Sequence, residues 1–165
     1  MTTLRSLLFP LLLLGGGWIS LCAQPLDKPL ARLSGEWNVY EQEGLRNRLS
    51  EKSQTKIVFS PIDNGNGLLV TIVRYDEDRL ESHQGCWFFH QPSGRIYGQN
   101  GAQQLEGSLD DGGNLHMTVY AIGQEEPEQD FTFLWISDDL IRWEGKRRLQ
   151  SGKDASYTRV LRRHL

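Results

Sequence analysis

Histidine and cysteine are common protein ligands for zinc, and this chain has four histidines and two cysteines. The histidines at positions 83, 90, 116 and 164 form no i, i+2 or i, i+4 pair, and no set of cysteines accompanies them. Zinc ligands usually occur at such short spacings, so the sequence predicts no metal site. The motifs Gly-x-Ser-x-Gly and His-Glu-x-x-His and the phosphate loop do not occur in it. We therefore expect no catalytic residue and no cofactor.

Two segments rich in Asp, Asn and Gly, residues 63–67 and 110–114, place several oxygen ligands close together. Calcium loops have this composition, but they also need a bidentate glutamate at a fixed distance downstream. Neither segment has that glutamate. The same composition is typical of hairpin turns, and we predict turns at both places.

The aromatic residues form the best candidate for a binding site. Tryptophans that point into a small β-barrel would form an apolar cup, and a few polar groups at its mouth would orient a ligand. We predict such a ligand site from three inward-pointing tryptophans and three polar residues near the mouth: Trp87, Trp135, Trp143, Tyr97, Tyr120 and His90. The alternative is that these rings only fill the core.

Strands must position these side chains. Apolar residues recur at every second position in many segments, as in Leu68, Val70 and Ile72, and residues typical of turns separate the segments. This pattern predicts nine or ten strands, and connections so short make consecutive strands antiparallel. Closing the sheet would remove its exposed edges. We therefore predict an all-β fold, an up-and-down antiparallel β-barrel of about eight to ten strands.

The period changes in one segment, residues 44–54. Leu45 and Leu49 lie four positions apart there among charged and polar residues. This spacing predicts one short helix or a lid-like loop after the first strand.

The N-terminal residues have the composition of an export signal. Arg5 precedes an apolar run over residues 7–21, and the small residue Ala23 follows, so residues 1–23 are predicted to be a signal peptide. Cleavage after Ala23 would release an exported, periplasmic or secreted protein, whereas cleavage before Cys22 would leave a lipid anchor; Leu21 favours the first. No later segment is apolar enough to span a bilayer. Residues 24–165 have the length of a single domain.

Both ends of this domain resemble the calycin barrels, the group of lipocalins, lipocalin-like proteins and avidin-like proteins. The residues that carry the resemblance are Gly35-Glu36-Trp37 at the start and Tyr157-Thr158-Arg159 at the end. In those families a Gly-x-Trp tryptophan on the first strand packs under a basic side chain near the last strand and plugs one end of the barrel. The resemblance implies that Gly35, Trp37 and Arg159 form a structural plug, with a cation–π contact between the last two.

The predicted function is the binding of a small apolar or amphipathic ligand in the barrel, without catalysis. A second hypothesis comes from the charge distribution. Residues 142–165 contain eight Lys and Arg against two acidic residues, although the whole chain has a formal net charge of −3. These basic strands could pair with acidic neighbours, or they could attract an anionic partner in the cell envelope to the outer barrel surface of a protein without a ligand cavity. Nucleic acid is not an expected partner of an exported acidic chain.

Overall fold

The protein consists almost entirely of β-strands. The structure, a computed structural model, describes residues 28–43, 48–50, 53–76 and 79–164. The predicted signal peptide lies outside these residues. The strands are β1 (Gly35–Glu43), β2 (Arg48–Leu49), β3 (Thr55–Ile62), β4 (Gly67–Asp76), β5 (Arg79–His90), β6 (Arg95–Asn100), β7 (Gln103–Leu109), β8 (Leu115–Ala121), β9 (Pro127–Ser137), β10 (Leu140–Arg148) and β11 (Asp154–Arg163). Two single 3-10 turns, Ala31–Leu33 and Asp63–Gly65, accompany them.

The sheet closes into a ten-stranded barrel. The strands from β3 to β11 each pair with the next strand in antiparallel orientation, and β1 pairs with both β3 and β11. The strand β2 only extends the end of β1. This arrangement confirms the predicted all-β, up-and-down antiparallel barrel. Among the described residues there is no helix long and apolar enough to cross a membrane.

The segment after the first strand differs from the expected helix wherever the structure describes it. Arg48 and Leu49 are extended and pair with the end of β1, with Leu49 opposite Gln42. Backbone pairing with β1 therefore replaces the local i, i+4 contact that the spacing of leucines suggested. Residues 44–47 and 51–52 lie outside the described part of the chain, so the lid remains a prediction.

Alternate side chains of each strand point into the barrel, and in one half of the barrel they pack into a solid core. The largest fully buried side chains are Trp37, Phe59 and Phe133. Trp87 packs against Phe59 and Phe133, with ring centroids 5.5 and 6.4 Å apart. At about 25 cal/mol per Å² of buried apolar surface, this core supplies most of the driving force for folding.

The chain segment before β1 closes this end, which we call the plugged end. Leu30 and Leu33 are buried, and the indole Nε1 of Trp37 donates a 2.7 Å hydrogen bond to the carbonyl of Leu33. The guanidinium of Arg163 covers the Trp37 ring at 4.3 Å and also donates hydrogen bonds to the carbonyls of Arg32 and Ser34.

The expected plug therefore exists, but its cation differs from the expected one. Arg159 was expected over Trp37; the structure places Arg163 there. The physical reason is the strand register, because Trp37 pairs with Arg163, while Arg159 lies two inward positions further along β11, opposite Glu41. Gly35 has a φ of +119°, which glycine adopts far more readily than other residues, and a Cβ there would lie 2.8 Å from the Arg163 guanidinium.

Candidate functional site

The opposite end of the barrel, which we call the open end, is lined by partly buried aromatic and polar side chains instead of an apolar core. The described connections at this end are residues 100–103, 121–127 and 148–154. No described segment crosses it as the turn Ala31–Leu33 crosses the plugged end. A barrel half that is not packed solid is the usual place for a small ligand.

Arg159 is the central charged residue of this half. Its side chain is 21% exposed, and its Nε lies 2.8 Å from Oε1 of Glu41. This contact is an ion pair without hydrogen-bond geometry, since Nε is buried and forms no hydrogen bond. The guanidinium also lies over the rings of Trp143 and Tyr157, at 4.7 and 4.8 Å from their centroids. Arg159 thus has a fixed position between two aromatic rings.

Tyr157 is held beside Arg159 by contacts with residues of β9 and β10. Its hydroxyl accepts a short hydrogen bond from Nε2 of Gln129 on β9. Gly145 lies directly opposite Tyr157 on β10, and a Cβ at that position would collide with the phenol ring and hydroxyl. Burial raises the pKa of Tyr157 above 10, although Gln129 and the indole of Trp143 partly oppose this effect. The hydroxyl is therefore neutral at physiological pH and keeps its proton to donate.

Trp143 connects this polar group to the apolar core. Its ring contacts Phe131, Phe133 and Tyr157, with centroids 5.4 to 5.7 Å apart. Its Nε1 is buried and lies close enough to the Tyr157 hydroxyl to lower the pKa of that group, but it forms no hydrogen bond of normal geometry. An unpaired buried N–H costs free energy unless another group accepts its hydrogen. We define Glu41, Gln129, Trp143, Tyr157 and Arg159 as the mouth cluster.

A cleft of about 650 Å³ lies at the open end on the other side of the barrel. It is formed by β4 to β9, and its inward-facing lining combines apolar and polar groups: Ile72, Arg74, His83, Asn100, Gln103 and Ala121. Its volume is in the usual range for sites of small ligands. The open end therefore offers space on one side and the mouth cluster on the other.

The structure divides the tryptophans of the predicted ligand site. Trp87 is only 5% exposed and belongs to the packed core. Trp135 belongs to the plugged end, where its Nε1 donates to the carbonyl of Gly113 and its ring contacts Trp37 and lies under Arg32. Of the three predicted tryptophans, Trp143 is the one in the open half.

The predicted polar residues do not lie at the mouth. Tyr97 is 42% exposed and lies on the outer wall, because it pairs with the outward-facing Phe88 and Glu106. Tyr120 also faces outwards, next to a register shift in β8. His90 is exposed at the turn between β5 and β6, which lies at the plugged end. The structure therefore brings none of these three side chains together with Trp143.

Most of the mouth cluster was not predicted as part of the site. Arg159 was singled out only as part of the plug and Tyr157 only as part of the motif near the C-terminus, and Gln129 and Glu41 were not predicted as site residues. One signal in the sequence could have found the first pair: Tyr157 and Arg159 are two positions apart on a strand and so share one face. Their neighbours depend on the register of β11 against β1 and β10, which the sequence does not specify.

The outer wall has a second depression, a shallow trough of about 720 Å³ across β6 to β11. Its outward-facing side chains are polar, and they include Thr118, Asp130, Thr132, Glu144 and Lys146. In the described part of the chain, no group of three or more His, Cys, Asp or Glu side chains is arranged to hold a metal ion.

The basic residues near the C-terminus do not form one stripe. Arg163 belongs to the plug, and Arg147 shares the inward-facing side of β10 with Gly145. Arg148 pairs with Glu126, and Arg162 lies over the ring of Tyr40 at 5.4 Å. These side chains point in different directions, and their contacts differ: Arg148 has an acidic partner, whereas Arg162 and Arg163 lie over aromatic rings.

Comparison with known proteins identifies the fold. No protein-family model and no curated protein sequence matches the chain. Among solved structures, an S-type phycobiliprotein lyase, CPES from Guillardia theta, is similar with a TM-score of 0.60 and 10% identity over 82% of this chain and 90% of that chain. Two other structures are less similar. A redesigned β-barrel has a TM-score of 0.43 and 17% identity over 85% of this chain and 98% of that chain. The odorant binding protein OBP1 has a TM-score of 0.42 and 12% identity over 82% of this chain and 73% of that chain. The closed antiparallel topology, the tryptophan plug and the likeness to the first of these structures show that this chain has a calycin-type barrel fold.

Proposed function

We propose that this protein binds a small amphipathic molecule at the open end of its barrel and carries it without changing it chemically. The observation that supports this proposal is the mouth cluster, in which a guanidinium is fixed between two rings above an apolar floor. The binding role is proposed for the whole site, and no chemical step is assigned to any residue.

The energetics of the open end favour a bound ligand. A ligand tail that covers the partly buried rings of Trp143 and Tyr157 would remove apolar surface from water, at about 25 cal/mol per Å². A polar group on the ligand would give the buried indole N–H of Trp143 an acceptor in normal hydrogen-bond geometry. Binding there would cost little rearrangement, because the barrel strands already hold the side chains in place.

We further propose that the protein is exported and does this work outside the cytoplasm. The support is the composition of residues 1–23, a basic residue followed by an apolar run and a small residue. A carrier of sparingly soluble molecules is useful in an aqueous compartment between membranes or outside the cell.

Native mass spectrometry of the protein purified from its own cells tests these proposals together. We expect a discrete additional mass that disappears after extraction with organic solvent. The intact mass in the same run shows whether residues 1–23 have been removed and whether Cys22 carries lipid. A ligand-free mass that stays unchanged after incubation with a panel of lipids would contradict the carrier role.

A pair of aromatic substitutions locates the site. Trp143→Ala should reduce ligand occupancy at least about tenfold, since it removes both the apolar floor and an N–H donor. Tyr97→Ala is the matched control, because Tyr97 is a half-exposed ring on the outer wall. Equal losses in the two variants would place the ligand elsewhere.

The second candidate function is a module that meets a macromolecule on its outer wall. The observation that favours it is the trough of about 720 Å³, which is lined by hydroxyl, carboxylate and ammonium groups. Lys146→Glu would reverse a charge in that trough. If this variant loses a co-purifying partner while Trp143→Ala keeps it, the outer wall is the functional surface.

A further inference from the structure

We infer that the ligand carries an oxyanion head group, a carboxylate or a phosphate, which binds Arg159 by taking the place of Glu41. This inference rests on the proposed function and adds the chemical class of the ligand. It assigns Glu41 the role of an exchangeable counter-ion that occupies the head-group position when the barrel is empty.

The first argument concerns the hydrogen-bonding capacity of Arg159. A guanidinium has five N–H donors, and a carboxylate or phosphate can accept two of them in parallel. Within the part of the chain that the structure describes, the polar contact of Arg159 is the single ion pair with Glu41, and its buried Nε forms no hydrogen bond. A partly buried cation with unused donors is unfavourable unless an anion approaches closely.

The second argument concerns the cost of removing Glu41. The Glu41 side chain is 53% exposed, so water competes for it and screens the ion pair. Glu41 lies near the end of β1 that faces the open end, so its carboxylate can turn into solvent when the ligand's anion takes its place beside Arg159. Arg159, by contrast, is held by Trp143 and Tyr157. The carboxylate can therefore leave while the guanidinium stays.

The third argument is that the neighbours of Arg159 are hydrogen-bond donors. Tyr157 accepts from Gln129, so its own hydroxyl proton is free to be donated, and burial keeps that hydroxyl protonated. Trp143 contributes an N–H that forms no hydrogen bond of normal geometry. Trp143 lies directly opposite Arg159, and Tyr157 lies opposite Gly145 in the next pair that faces into the barrel. Donors on two paired strands surround one cation, which is the arrangement that an oxyanion needs.

Isothermal titration calorimetry with four ten-carbon amphiphiles tests this inference on the purified protein. Decanoate and decyl phosphate carry oxyanions, decanol is neutral, and decyltrimethylammonium is cationic, while all four have unbranched chains of ten carbon atoms, the carboxyl carbon of decanoate being the tenth. We expect both anions to bind at least about tenfold more tightly than decanol, since a charge-assisted hydrogen bond has about that effect. The ratio between decanoate and decyl phosphate shows which oxyanion fits better.

Three variants separate the contributions. Glu41→Gln should increase the affinity for decanoate several-fold, because a neutral amide competes less well for the guanidinium. Arg159→Gln should abolish the preference for anions but keep the affinity for decanol. Arg162→Gln is the matched control: Arg162 is the neighbouring outward-facing arginine that covers Tyr40, and the preference for anions should survive its removal.

The outcomes are distinguishable. Equal affinity for decanol and decanoate would overturn the inference while leaving the carrier role intact. A lower affinity for decanoate in Glu41→Gln would also overturn it, because Glu41 would then support the ligand instead of competing with it. If none of the four compounds binds, the proposed function fails together with the inference.

Discussion

Two arginines on the last strand show how position alone gives the same residue type different roles. Arg163 and Arg159 both face inwards and both cover a tryptophan ring. Arg163 also donates hydrogen bonds to the carbonyls of Ser34, Arg32 and Asp138, so the fold uses most of its donors. Arg159 makes one ion pair with a half-exposed carboxylate. We therefore expect the first to stabilise the barrel and the second to serve the site.

Substitution of each arginine tests this difference. Arg163→Gln should lower the free energy of unfolding by about 2 to 3 kcal/mol, because it leaves carbonyls at the plugged end without their charged donor. Arg159→Gln should lower it by less than about 1 kcal/mol, because its ion-pair partner Glu41 is half exposed and water screens the pair. Urea unfolding followed by tryptophan fluorescence measures both. A larger loss for Arg159→Gln would show that the mouth cluster is a structural feature.

The turn between β7 and β8 contains an ionisable group whose pKa is clearly shifted. The Asp110 carboxylate accepts hydrogen bonds from the side chain and backbone of Asn114, from the backbone of Gly112 and from His116, and these lower its pKa from 3.8 to about 2. The folded state therefore favours the ionised form. The resulting stabilisation is complete above about pH 4 and disappears as the pH falls towards 2.

Asp110→Asn should accordingly lose part of its stability at neutral pH and show a flatter decline between pH 4 and pH 2 than the unmodified protein. Thermal unfolding at half-unit pH intervals measures the two curves. Asp111→Asn is the control, because the neighbouring carboxylate has no such hydrogen bonds among the described residues. If the Asp110→Asn curve runs parallel to that of the unmodified protein, the turn does not account for the acid sensitivity.

At the scale of strands, the sequence predicts which elements form but not how they align. The two-residue period of Leu68, Val70 and Ile72 indicates a strand with one buried face, and β4 has that face buried. Strand number and closure follow from many such segments. Register does not follow, since an antiparallel pair can shift by two residues and keep the same side chains on the same face. The exchange of Arg163 for Arg159 at the plug is an error of this kind, four residues along the correct face.

Gly145 is the position where strand pairing determines the shape of the site. Gly145→Ala would force a Cβ against Tyr157 and against the carbonyl of Asp130. We expect a loss of about 1 to 3 kcal/mol in unfolding free energy, typical of overpacking, and a weaker affinity for decanoate. Tyr157→Phe removes the hydroxyl that the new methyl would contact, so the double variant should cost less than the sum of the single variants by at least about 0.5 kcal/mol. Additive losses would contradict the contact.

At the scale of the whole molecule, the barrel has a packed half and an open half, and this division explains why the site was only partly predictable. Aromatic residues occur in both halves, and composition alone does not distinguish the halves. The sequence therefore placed Trp87, Trp135 and Trp143 in one predicted ligand site. Their neighbours differ: Trp135 contacts Trp37 and Arg32 at the plug, whereas Trp143 contacts Tyr157 and Arg159 in the open half. Those contacts join residues more than ten positions apart. The contact between Trp135 and Trp37 depends on closure of the barrel, and the contacts of Trp143 depend on the register of β10 against β11.

Hydrogen exchange should detect the two halves directly. In the ligand-free protein we expect the slowest amide exchange near the plugged end, at residues 35–39 and 161–163, because β1 is paired with both β3 and β11 from Trp37 to Val39 and these two inward-facing side chains are buried. Addition of decanoate should slow exchange at residues 143–147 and 155–159, where the ligand bridges two strands, and leave the plugged end unchanged. Mass spectrometry of peptides after exchange measures both regions in one experiment. Uniform slowing of exchange along the chain would mean that the ligand stabilises the whole barrel without binding at a defined site. Slowing confined to the residues of the trough would indicate that the ligand binds on the outer wall.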